Sequence, residues 1–172
     1  MRRALSLMAV LLVAAGSAKA LDNEMTRQSL RGLKGVEVMV ENLDPEAEAD
    51  GLSKTMIQTD VELKLRQAGI RVLTKDQVLA AAGRPWLLIH ASTFRRKADP
   101  LYAYHLDVRL EQDVRLERDP KIMVILATTW SALGRIGTVG SEKLPQIRDD
   151  IKDQVDQFIN AWLSVNPSAT QK

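Results

Sequence analysis

The chain has 172 residues, 24 lysines and arginines against 22 acids, and no cysteine. The length suits a single domain, and the near balance of charge leaves no global electrostatic case for nucleic acid or an anionic membrane surface. Without cysteine there are no disulfides, thiolate nucleophiles, thiolate metal sites or lipid-modified N-terminal cysteine, so the fold must rest on core burial alone.

Residues 1–20, "MRRALSLMAVLLVAAGSAKA", open on Arg2 and Arg3, continue as an apolar run over 4–15 and close on Ala18-Lys19-Ala20. This is the build of a cleavable secretory signal, with cleavage expected after Ala20 and an exported product, periplasmic or secreted. The apolar run is shorter than the roughly twenty residues that a spanning helix needs. Loss of Arg2, Arg3 and Lys19 takes the 24 basic residues to 21 against 22 acids, a mature net charge of −1. Residues 21–32 show no clear period and are expected as a mobile arm.

From there the elements alternate. Val36, Val38 and Val40 oppose Glu37, Met39 and Glu41, which predicts a strand over 33–43 with one buried face. "DPEAEADG" reads as a loop. Residues 53–68 form an expected helix with Ile57, Val61 and Leu65 on one stripe, Ser53 as N-cap and Gly69 as left-handed terminator. "IRVL" at 70–73 is an expected short strand, and Thr74 with Gln77 has capping-box spacing for a short helix to follow. Strands are expected at 86–94 and across "YAYHLDVRLEQDVRLE" (102–117), whose even row is apolar and whose odd row is charged. "IMVILATTW" at 122–130 is apolar on both faces, as a strand in mid-sheet or under a helix would be. The last helix carries Leu144, Ile147, Ile151, Val155, Phe158, Ile159 and Trp162 at three-and-four spacing. Asn166-Pro167 ends it, before a tail over 167–172. The order β-α-β-(α)-β-β-β-α predicts an α/β (α+β) two-layer sandwich: a five-stranded mixed sheet with its helices on one face. Residues 33–166 are expected as one domain.

Three places are candidates for function. The chain has two histidines, His90 and His105, on consecutive strands whose apolar rows must share a face. A connection centred near Lys97-Ala98 sets His90 opposite His105, Trp86 opposite Arg109 and Asp107 diagonal to His90. Two imidazoles and a carboxylate in reach make a candidate metal or acid–base site; the competing reading is the solvated face of a sheet. Trp86, Leu88 and Phe94 share that face and are candidates for a partner surface. "GRIGTVG", with Gly134, Arg135, Gly137 and Gly140, is a candidate anion- or peptide-binding loop between a strand and a helix. Its G-x-x-G-x-x-G spacing matches neither the dinucleotide fingerprint nor a Walker loop. The cluster Arg95-Arg96-Lys97 reads as a solvated turn. No nucleophile motif occurs, and no cofactor is expected.

The stretches "GLSKTMIQTDVELKLRQAGIRVL", "ATTWSALGRIGTVG" and "IRDDIKDQVDQFINAWLSVNP" resemble a set of exported bacterial proteins with no assigned activity. That resemblance implies export and this order of elements, and supplies no site residues. In architecture the order is similar to small two-layer α/β domains of periplasmic envelope-assembly proteins, an analogy of fold alone. The expectation is an exported binding module of the bacterial envelope whose partner is another envelope protein or an extended peptide. A metal-dependent or hydrolytic enzyme using His90, His105 and Asp107, and a structural subunit of a homo-oligomer, are the alternatives.

Overall fold

A computed structural model describes residues 21–95 and 100–167. The expected signal, Arg96 and Lys97 of the basic turn, and residues 168–172 of the tail lie outside the described residues.

The five strands are β1 (Glu37–Val40), β2 (Trp86–Arg95), β3 (Leu101–Leu116), β4 (Asp119–Ser131) and β5 (Arg135–Gly140). β1 runs parallel to β2, and β2–β3, β3–β4 and β3–β5 are antiparallel, which makes the sheet mixed. β3 is long enough to take two partners on one side: β5 along Leu101–Leu106 and β4 along Arg109–Leu116. β4 and β5 therefore lie end to end along the same flank of β3. The five-stranded mixed sheet and the α+β class agree with the sequence reading, but two of its members change. Residues 70–73 make only the single parallel bridge Val36–Val72, and the glycine-rich "loop" is β5.

One face carries the core. Val38 and Val40 of β1, Leu87, Ile89 and Ala91 of β2, and Tyr102, Leu106, Val108 and Leu110 of β3 are all buried there. They meet α3 (Lys54–Gln67) through Ile57, Val61 and Leu65, and α5 (Ile147–Val165) through Ile151, Val155, Phe158 and Trp162. Trp130 at the top of β4 packs edge-on against Phe158, with ring centroids 5.3 Å apart. Ion pairs Lys64–Asp156 (2.6 Å) and Arg148–Asp60 (2.6 Å) join the two helices across their wet rims.

Local chemistry accounts for the ends of these elements. Ser53 accepts from the Met56 amide at the start of α3, and Gly69 leaves it at φ +78°. A reciprocal capping box between Thr74 and Gln77 starts α4 (Lys75–Ala80). "DPEAEADG" is not a loop: Asp44 caps and Pro45 opens a short helix, α2 (Pro45–Ala49), because the fixed proline φ suits a first helical position.

Residues 21–32 also depart from the expected mobile arm. Asn23 caps α1 (Glu24–Arg27), and Leu30, just beyond it, is fully buried. Asp22 accepts from the Trp130 indole at 3.0 Å and from Arg27 at 2.6 Å. The Asn166 amide reaches the Leu30 carbonyl at 2.9 Å. The segment lacks a period because it is pinned by individual contacts rather than by an amphipathic face.

Candidate functional site

α3 and α5 pack on one face of the sheet, and the odd-numbered row of β3 lies on the other. The registry pairs Trp86 with Glu111, Leu88 with Arg109, His90 with Asp107, Ser92 with His105 and Phe94 with Ala103. The face is the one expected, but the register is two residues from it: His90 stands opposite Asp107, not His105. A shift of two preserves every side chain's face, so the apolar rows alone could not distinguish the two pairings.

An ion network fills the middle of this face. Arg109 donates to Asp107 at 2.8 Å and to Glu111 at 2.9 Å, and its second terminal nitrogen lies 3.6 Å from Glu41. Glu41 also holds the His90 Nδ1 at 2.6 Å. Burial opposes the charge on Arg109, but Asp107 and Glu111 outweigh it and hold the guanidinium above its ordinary range. The His90 and His105 rings are 5.8 Å apart between centroids, tilted by 57°. His90, His105 and Asp107 are thus neighbours without forming a ligand set. Glu41 takes His90, Arg109 takes Asp107, and among the described residues no three histidine or acid side chains converge to hold a metal ion.

The apolar residues of the face gather at its other end. Phe94 is 68% exposed and Ile136 of β5 is 79% exposed. They flank Ala103 and His105, and with Ser92 and Tyr104 they line a shallow hollow of about 240 Å³. Of the three residues expected as a partner surface, only Phe94 stands out into solvent. Trp86 is half-buried, and Leu88 is 6% exposed between the long side chains of its register neighbours Met39 and Arg109.

The glycine-rich candidate is resolved by β5's pairing. Arg135 sits opposite Leu106 on the helix face, where its guanidinium pairs with Asp150 and lies 3.7 Å from Asp153. Gly137 is required because the Tyr104 ring lies across it: a Cβ there would meet the phenol oxygen at 2.6 Å. That phenol donates to Asp150 at 2.8 Å. Gly134 precedes the strand, while Gly137 and Gly140 pair with Tyr104 and Leu101 of β3, so most of the expected loop is strand.

Sequence reasoning missed Glu41, Ile136 and Leu101 as members of the open face. The first was findable, since it continues the wet row Glu37–Met39–Glu41 into a strand parallel to β2. Ile136 was hidden by the three glycines around it. A second hollow, of about 450 Å³, lies between residues 32–35, Arg71 and residues 80–82. It brings no carboxylate or histidine together, so the open sheet face is the better candidate. Among the described residues no helix is long and apolar enough to cross a membrane.

Compared with protein-family models, with curated proteins and with solved structures, the chain matches none.

Proposed function

We propose that the protein is an exported interaction module of the bacterial envelope, which binds another envelope protein or an extended peptide through the open face of its sheet. The observation that supports this reading is the pairing of Phe94 and Ile136, both more than two-thirds exposed, around a shallow hollow on the face of the sheet away from α3 and α5. Large apolar side chains clustered beside a polar surround mark sites of contact. The ion network beside them supports binding rather than catalysis: Asp107 and Glu111 are each paired with Arg109, and His90 is hydrogen-bonded to Glu41. Export rests on residues 1–20, and N-terminal sequencing of secreted material should read from Leu21.

Site-specific photo-crosslinking in producing cells tests the surface. A photoreactive residue at position 94 or 136 should give one discrete heavier adduct, while the same residue at Leu63, exposed on α3, should give none. Equal labelling at all three positions, or none at 94 and 136, would refute the reading.

A further inference from the structure

Two non-glycine residues among those described have a left-handed backbone, Arg84 at φ +39° and Leu126 at φ +53°, and both are bonded to the side chain of Asp113. From that convergence we infer that Asp113 is a clamp that keeps the exposed edge of β4 from pairing with strands of other chains.

The edge needs such a device. Ile122, Met123, Val124, Ile125 and Leu126 are five consecutive large apolar residues, all 39–58% exposed. The sequence pattern places this run in mid-sheet or under a helix; the structure places it on the last strand of the path β1-β2-β3-β4. A short window of strand-forming residues with neither charge nor proline is the kind that adds to strands of neighbouring molecules. Natural sheets blunt their free edges with charge, proline, bulges or a covering segment. Pro120 and Lys121 stand at the hairpin tip. At the root of β4 the chain's own N-terminal segment closes the strand, where the Ser131 amide donates to the Leu21 carbonyl at 3.3 Å. Within the run the device is a bulge. Gln112 pairs with Ala127 and Val114 with Val124, so Ile125 and Leu126 together stand opposite Asp113.

Leucine has a Cβ and no polar side-chain atom to offset a left-handed backbone, and such strain persists only where the surroundings impose it. Asp113 imposes it. Its Oδ1 accepts from the Leu126 amide at 3.3 Å, and its Oδ2 accepts from the Arg84 Nε at 2.5 Å. The carboxylate is itself fixed, with its side chain only 9% exposed. The Asp113 amide donates to the Gly83 carbonyl at 2.7 Å, and the Arg84 amide to the Ala81 carbonyl at 3.1 Å. Gly83 at φ +74° and Arg84 thus form a tight turn after α4 that grips Asp113 by backbone and side chain alike. One carboxylate oxygen is left for Leu126. Without it nothing holds Leu126 out of the extended conformation of its neighbours. The run can then straighten into a regular edge whose unpaired backbone groups accept another strand.

The Leu126 amide reads the clamp directly. In the full chain as its host produces it, that amide should exchange with solvent roughly tenfold more slowly than in Asp113→Ala, the factor expected for one hydrogen bond. Association tests what the clamp prevents. With urea setting both variants to the same unfolded fraction, Asp113→Ala should aggregate roughly tenfold faster by light scattering than Gly137→Ala. Gly137→Ala is the control because it disturbs Tyr104 and leaves the bulge intact. Val124→Lys in the Asp113→Ala background should restore the slower rate by returning charge to the edge. Asp113→Asn keeps the side chain's shape but loses its charge pairing with Arg84. It should move both readouts in the same direction, and it carries the test if the alanine variant does not fold. Aggregation that follows the unfolded fraction alone and is indifferent to Val124→Lys would overturn the inference. So would a Leu126 amide that exchanges as fast in the parent as in the variants. The photo-crosslinking at Phe94 and Ile136 probes a different part of the sheet, so either proposal can fail without the other.

Discussion

Replacement of Arg109 by alanine tests whether the open face is held together by its ion network. The guanidinium touches Asp107 at 2.8 Å and Glu111 at 2.9 Å, with Glu41 at 3.6 Å. The side chains of Asp107 and Glu111 are only 17% and 14% exposed, whereas those of Arg109 and Glu41 are 31% and 37% exposed. Each contact is worth between about 1 kcal/mol at the dielectric of water and about 4 kcal/mol near a protein surface before desolvation is subtracted. Fully exposed pairs contribute about 0–1 kcal/mol, while breaking a fully buried one costs about 3–5 kcal/mol. Two partly covered carboxylates left without their cation fall between these limits, so Arg109→Ala should cost about 2 kcal/mol. Urea denaturation at neutral pH measures it. A double-mutant cycle with Asp107→Asn should return a coupling of about 1 kcal/mol, reduced by high salt because the pair is partly screened. A loss below about 0.5 kcal/mol, typical of a plain surface change, would show that the charges are only solvated side chains and that the network does not hold the face.

Three further outcomes follow from the structure. Gly137→Ala should cost about 2 kcal/mol in thermal or urea unfolding, because its Cβ would lie 2.6 Å from the Tyr104 phenol oxygen and displace the ring from Asp150; in a Tyr104→Ala background the same change should cost under about 0.5 kcal/mol. Arg27 beside Asp22 holds that carboxyl below its ordinary value of 3.8, against the opposing effect of burial and with help from the Trp130 indole. Its contribution is therefore present above pH 3.8 and lost as the pH falls through the lower folded value. Asp22→Asn should cost about 1 kcal/mol at pH 7, a difference from the parent that shrinks in strong acid. Glu37 has the opposite sign. Burial, opposed by Lys75 and reinforced by Asp76, raises its carboxyl above the ordinary 4.5, and its Oε2 is buried without a partner. The fold favours the neutral acid, so stability falls as the pH rises through the folded value; Glu37→Gln should gain about 1 kcal/mol at pH 7 and nothing at pH 4 in paired denaturation curves.

Elements whose evidence is local were legible from the residues alone. The Ser53 cap, the Thr74–Gln77 box and the stripe of α5 each depend on neighbours within one or two turns, and each stands where the spacing puts it. The rows of β2 and β3 gave their faces for the same reason. Their register was not local. Side-chain alternation has a period of two and is blind to a slip of two, and the pairing Arg95–Tyr102 is decided by the connection between those residues. That slip moved the candidate site: it put Asp107 rather than His105 across from His90. β5 was lost for a different reason. Glycine commonly marks a turn, but Gly137 is needed because the Tyr104 ring, five-stranded sheet and α5 acid meet there, a coincidence of residues 33 and 46 positions apart with no trace in a sequence window.

The β4 run shows a limit of another kind. The pattern "IMVIL" predicts a buried strand because five adjacent apolar residues need cover on both faces. The demand for cover stands, but the assumption that this chain supplies it fails. Trp130 at the root of β4 packs against Phe158 of α5, whereas Ile122 to Leu126 toward the hairpin tip are each 39–58% exposed. Hydrophobic pattern reports how strongly a segment favours leaving water. It does not report which molecule provides the surface. An interior pattern on an edge strand therefore reports how strongly the run favours leaving water, and the irregular pairing beside Ile125 and Leu126, with Leu126 at φ +53°, blunts that edge as bulges do.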